Sequence, residues 1–131
     1  KQELLVGTHN FTNSSGNTFK LALYTSSASL GAATTVYSSS NEASGSNYSA
    51  GGNTLTNVTP SLDSTTAITD FDNTSWNSST ITARGGLIYN SSASNKAVAV
   101  LDFGSDKSSS NGTFSVIFPA PAASTAIIRI A

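Results

Sequence analysis

Large apolar residues arrive along this chain in short bursts separated by clusters of Ser, Thr, Asn and Gly, which predicts many short strands and little helix. In Phe19–Tyr24, Phe19, Leu21 and Leu23 alternate with Lys20, Ala22 and Tyr24, the pattern of a strand with one buried face. Residues 35–37, 54–58, 67–71 and 80–83 continue the series with β-branched side chains. Gly85-Gly86 reads as a bulge ahead of 87–89, because glycine inside a strand pattern lets the backbone kink. Residues 96–103 are almost continuously apolar and predict a central strand covered on both faces. Residues 113–118 place Phe114, Val116 and Phe118 on one side, after a turn whose Asn111-Gly112 accepts positive φ. Pro119 and Pro121 end that strand, and 126–130 supply the last one. Residues 1–6 read either as the end of a helix stopped by a left-handed Gly7 or as an extended arm. The pattern implies an all-β fold: a single-domain antiparallel β-sandwich of jelly-roll type over 12–131, with a short N-terminal arm or helix over 1–11. Residues 41–53 are the most loop-like stretch.

Composition then bounds what such a domain can do. Ser, Thr and Asn fill 54 of 131 positions, so the exterior is neutral and rich in hydroxyls and amides. Leu, Ile, Val and Phe number 28, and Trp76 with four Tyr raises the large apolar set to 33. At about 1.5–3 kcal/mol per buried side chain, that suffices for one small domain. The small interior makes oligomerisation an attractive source of further buried area. Six Lys+Arg against seven Asp+Glu, with no cationic cluster, argue against nucleic acid or an anionic membrane as a partner. No apolar run approaches the roughly 18 residues of a membrane span. The absence of Cys excludes a disulfide scaffold, a thiolate metal site and a cysteine nucleophile. The chain opens on Lys1 instead of Met, so 1–6 read as the remainder of a longer N-terminal segment.

Candidate chemistry is sparse. His9 is the only histidine, so any Ser-His-Asp machinery runs through it, and no Gly-x-Ser-x-Gly elbow accompanies it. It reads as a surface or loop residue. Asp70 and Asp72 lie two apart, on one side of a strand, and Asp102 with Asp106 form a second pair. Ca²⁺ loops bring more acids at closer spacing, so no metal and no cofactor are implied. Eight Asn-x-Ser/Thr sequons exceed the roughly four expected by chance, though the same strings are simple turn sequences. Trp76, Tyr48 and Tyr89 stand among polar residues, either as a sugar-binding platform or as half-buried core.

Several strings carry a resemblance. Residues 19–32 (FKLALYTSSASLGA), 41–55 (NEASGSNYSAGGNTL), 80–89 (TITARGGLIY), 97–104 (AVAVLDFG), 114–119 and 126–130 are similar to a family of small tailed-bacteriophage virion proteins. The resemblance spans nearly the whole chain from Glu3 and brings no catalytic residue. It implies a non-enzymatic structural role, as a capsid decoration or accessory protein on the virion surface. Partners would be a major capsid or tail protein and further copies of the chain, three-fold lattice positions favouring a trimer. Leu4, Leu5, Val6 and Phe11 are the expected docking element, an apolar patch outside the periodic strands. Two alternatives stay open. One is a carbohydrate- or receptor-binding tail-fibre or adhesin module using Trp76, Tyr48 and Tyr89. The other is an extracellular filament subunit whose N-terminal strand completes a neighbour's sheet.

Overall fold

The computed structural model describes residues 2–131. One turn of helix, α1 (Gln2–Leu5), precedes nine strands: β1 (Phe19–Tyr24), β2 (Asn53–Thr54), β3 (Asn57–Asp63), β4 (Thr66–Phe71), β5 (Thr74–Ser79), β6 (Thr82–Asn90), β7 (Lys96–Ser108), β8 (Gly112–Val116) and β9 (Ile128–Ile130). They form three antiparallel sheets, ordered β2-β1-β6-β7, β3-β4-β9 and β5-β8. The fold is all-β and sandwich-like. Each sheet sends side chains into one core: Leu21, Leu23 and Ile88 from the first, Phe71 from the second, Trp76, Phe114 and Val116 from the third.

Two of these sheets are one ribbon carried round a corner. Ser79 of β5 opposes Gly112 of β8, and Thr82 of β6 opposes Ser108 of β7, so the β6–β7 hairpin runs on into β5–β8. Ser79, fully buried, holds the bend. Its hydroxyl donates to Trp76 O (2.9 Å) and also lies 2.8 Å from Ser109 Oγ and 3.2 Å from Gly112 O. The Ser109 N–H donates to Ile81 O at 2.9 Å across the same corner. Side chains that bond the backbone there replace part of the ladder pairing that the bend removes.

Three expectations change. β1 is buried on both faces, because residues from 28 to 37 cover the second: Ala28, Leu30 and Tyr37 pack on Ala22, Tyr24, Leu87 and Tyr89. β7 is the edge of its sheet, and its apolar run is only half-buried. Ala99, Leu101 and Phe103 reach the main core while Ala97 and Val100 join the second cluster. Residues 35–37 contribute only a bridge, Val36 to Lys96. The Gly85-Gly86 irregularity is present: the β6–β7 register shifts between Ala83 and Gly85, where a Cβ on Gly85 would sit 2.4 Å from Leu101 O.

Candidate functional site

The N-terminal segment is the helical alternative. Gly7 (φ 71°) takes the left-handed conformation after α1; its N–H donates to Leu4 O (3.2 Å) and the Thr8 N–H to Glu3 O (2.9 Å). Those two bonds satisfy the last carbonyls of the turn, as a Schellman stop does. The stop divides the expected docking residues. Leu4 packs against the main core, and Phe11 is buried and stacked on Phe19 (centroids 4.5 Å apart, 4° between planes). Leu5 and Val6 stand in solvent, 85% and 67% exposed.

A polar latch ties this segment to the β6–β7 turn. Lys96 Nζ donates to Glu3 Oε1, and Glu3 Oε2 faces His9 Nε2 at 3.3 Å. Asn90 Nδ2 donates to His9 Nδ1 (3.0 Å) and to Asn17 Oδ1 (3.0 Å). Those partners place the ring proton on Nε2 and leave neither nitrogen free to take one from a serine. His9 is therefore not a surface histidine: it is 9% exposed, its ring 6.2 Å from those of both Phe11 and Phe19. The Lys96 hydrogen bond holds the Glu3 carboxyl below its ordinary value.

A second polar centre emerges that the sequence pattern does not announce. All four tyrosines gather near Glu42. Tyr37 and Tyr48 donate to its two carboxylate oxygens at 2.6 Å each, and the Gly51 N–H adds a third bond at 2.7 Å. Tyr48 Oη accepts from the Leu23 N–H, while Tyr24 and Tyr89 donate to the carbonyls of Ser38 and Gly51. Gly51 and Gly52 take positive φ here, and a Cβ on Gly52 would in addition lie 1.8 Å from Leu21 O. Burial first, and the carboxylate second, push the Tyr24 phenol up to about 12, and Tyr37 and Tyr48 are pushed higher for the same reasons. These phenols act as hydrogen-bond donors that fix the loop 41–53 to the sheet.

The acidic pairs separate. Asp70 is buried, accepting from the Phe71 and Ile127 N–H groups, whereas Asp72 is exposed, so the two do not share a site. Asp70 lies inside β4 while Asp72 has already passed its end, and strand alternation no longer relates them. Asp102 and Asp106 flank Arg84 at 3.7 Å each, in an exposed cluster that contributes little. Among the described residues no three His, Asp or Glu side chains converge as a metal site would need. The aromatic platform does not assemble. Trp76 (4% exposed) lies in the main core against Phe114, Tyr89 is buried in the second cluster under Tyr37, and only Tyr48 is half-buried. Two sequon residues, Asn57 and Asn90, are buried as well.

The exposed large apolar side chains are Leu5, Val6, Val36, Leu62, Ile117 and Ile130. No family model matches this chain, and the comparisons with curated proteins and with solved structures also return no match.

Proposed function

We propose that this chain is a non-enzymatic structural component of a tailed-bacteriophage particle, carried on the virion surface and docked through Leu5 and Val6. The observation that carries the reading is the exposure of these two side chains on a segment bonded to the core. A stopped helix turn holds them in water while Leu4, His9 and Phe11 anchor the same segment to the core. Exposed aliphatic pairs on an ordered scaffold mark contacts, and many copies on a symmetric lattice need only modest affinity each. The histidine and both glutamates are engaged in internal bonds. Strand donation by the N-terminus fits less well, because that segment is helical and fastened to its own domain. A glycan-binding reading lacks its aromatic face.

Leu5→Lys with Val6→Lys tests the proposal on purified particles reconstituted with added protein. Both positions are exposed, so stability should change by no more than about 0.5 kcal/mol. Incorporation into particles should fall at least tenfold. Unchanged incorporation of this folded variant would reject the docking role. Deletion of 1–11 is the poorer test, since it also removes Phe11 from the core.

A further inference from the structure

Sheet edges are sites where another chain can add a strand, and proteins usually block them with prolines, bulges, charges or covering segments. Nearly every described edge here carries such a device. β2 is two residues long, and β3 holds Pro60 beside a register shift. β5 has a bulge, and the Asn53 and Asn47 amides donate to its Ser75 and Ser78 carbonyls. β7 is bridged by Val36 at its start and breaks register between Gly85 and Ala83, around its Asp102, Asp106 and Lys107. β9 is three residues long with Arg129 at its centre.

β8 has none of these. From Gly112 to Phe118 the chain contains no charge and no proline, and among the described residues no segment pairs with its outer edge. Phe114 and Val116 point into the core, Thr113 and Ser115 point out, and Ile117 continues the outward row at 68% exposure. Beside this edge lies a groove of about 440 Å³ between the β7 and β8 arms of the bent ribbon, where the half-buried Phe103 meets Phe114 and Val116.

We propose that two copies of this chain associate by antiparallel pairing of β8 with β8 across a two-fold axis at Ser115. The strand is complementary to itself in that register: Ile117 faces Thr113, Phe114 faces Val116, and Ser115 faces its own copy. Aromatic with β-branched pairs and hydroxyl with hydroxyl are favourable cross-strand neighbours, and no like charges oppose. Arg129 would oppose itself if β9 paired about its centre. That absence of charge conflict selects a second copy as the occupant of β8. The result is a two-stranded sheet extended to four. Because one strand pairs with itself, the symmetry is two-fold, unlike the trimer expected from lattice position. This association is a property of the isolated protein and does not depend on the virion reading.

Three measurements on the intact chain test it. Sedimentation should give twice the mass of one chain, and Thr113→Lys with Ile117→Lys, which sets lysine against lysine, should halve that mass. Mixing this variant with Thr113→Glu/Ile117→Glu should restore the dimer as a mixed pair, which misfolded protein would not do. Ser115→Cys in this cysteine-free chain should form an intermolecular disulfide at least tenfold faster than Ser61→Cys under the same mild oxidant. A monomer in the first measurement overturns the proposal. So does a dimer that survives the paired lysines, since another surface then holds it, and so does equal crosslinking at Ser115 and Ser61.

Discussion

Glu42 shows how much one side chain decides in a loop that reads as featureless. Its carboxylate takes three hydrogen bonds from donors 5, 6 and 9 residues along the chain, so a polar stretch of 16 residues, 37–52, closes around one acceptor. Charged acceptors make the stronger bonds, and losing one strands buried donors. Glu42→Gln should therefore lower stability by about 1.5–3 kcal/mol in urea unfolding, with Tyr37→Phe costing less because only one bond goes. The tyrosines add a pH signature. A phenol whose folded pKa is raised keeps its full contribution below the unfolded value near 10 and loses it as pH climbs through the folded value, about 12 for Tyr24. Stability should fall steeply above pH 10, with tyrosinate absorbance rising in the same step as unfolding. Four independent titrations near 10 would contradict this. Glu3 has the opposite sign: its lowered pKa means that its contribution is complete above 4.5 and fades as pH falls below that. None of this is visible in the letters Tyr37, Glu42 and Tyr48, because the glycines that let the loop fold back announce flexibility and not the acceptor they enclose.

At the level of elements, the strands with clear alternation are readable and their neighbours are not. β1 appears over the residues its pattern predicts, β4 and β8 lie within a residue or two of theirs, and β6 joins the pieces expected at 80–83 and 87–89 through Gly85-Gly86. β5 escapes since Thr74–Ser79 offers a single large apolar residue, Trp76, and is held by pairing with β8 and by Ser79. The apolar run in β7 correctly signals contact on both faces, yet the cover on one side comes from a Ser- and Ala-rich loop that has no periodicity of its own. The N-terminal set divides for a similar reason. Four apolar residues within eight positions look alike in sequence, and only the Gly7 stop sorts Leu4 and Phe11 inward from Leu5 and Val6 outward. Phe11→Ala should accordingly cost about 3–5 kcal/mol, while Leu5→Ala stays within about 0.5 kcal/mol. The ribbon corner makes its own prediction. Ser79→Ala removes a buried hydroxyl that meets three partners, and thermal unfolding should reveal a loss of about 1–3 kcal/mol.

The molecule as a whole pairs a neutral, hydroxyl-rich exterior with a few uncharged contact points, and that combination fixes how its associations respond to salt. Six cations and seven anions leave a net charge of −1, and several are already matched internally: Lys96 with Glu3, and Arg84 with Asp102 and Asp106. Neither proposed contact, Leu5 with Val6 or the β8 edge, places a charge at its centre. Raising salt from about 0.1 M to 1 M shrinks the screening length from about 10 Å to 3 Å, which would weaken any association steered by exposed charges. Apolar contact and strand pairing have no such dependence. Both the self-association constant from sedimentation and the uptake by particles should therefore change less than about threefold over that range. A loss of tenfold or more in either would place charged residues at the contact and point to Asp63, Asp72, Lys107 and Arg129, the exposed charges that no ion pair among the described residues accounts for.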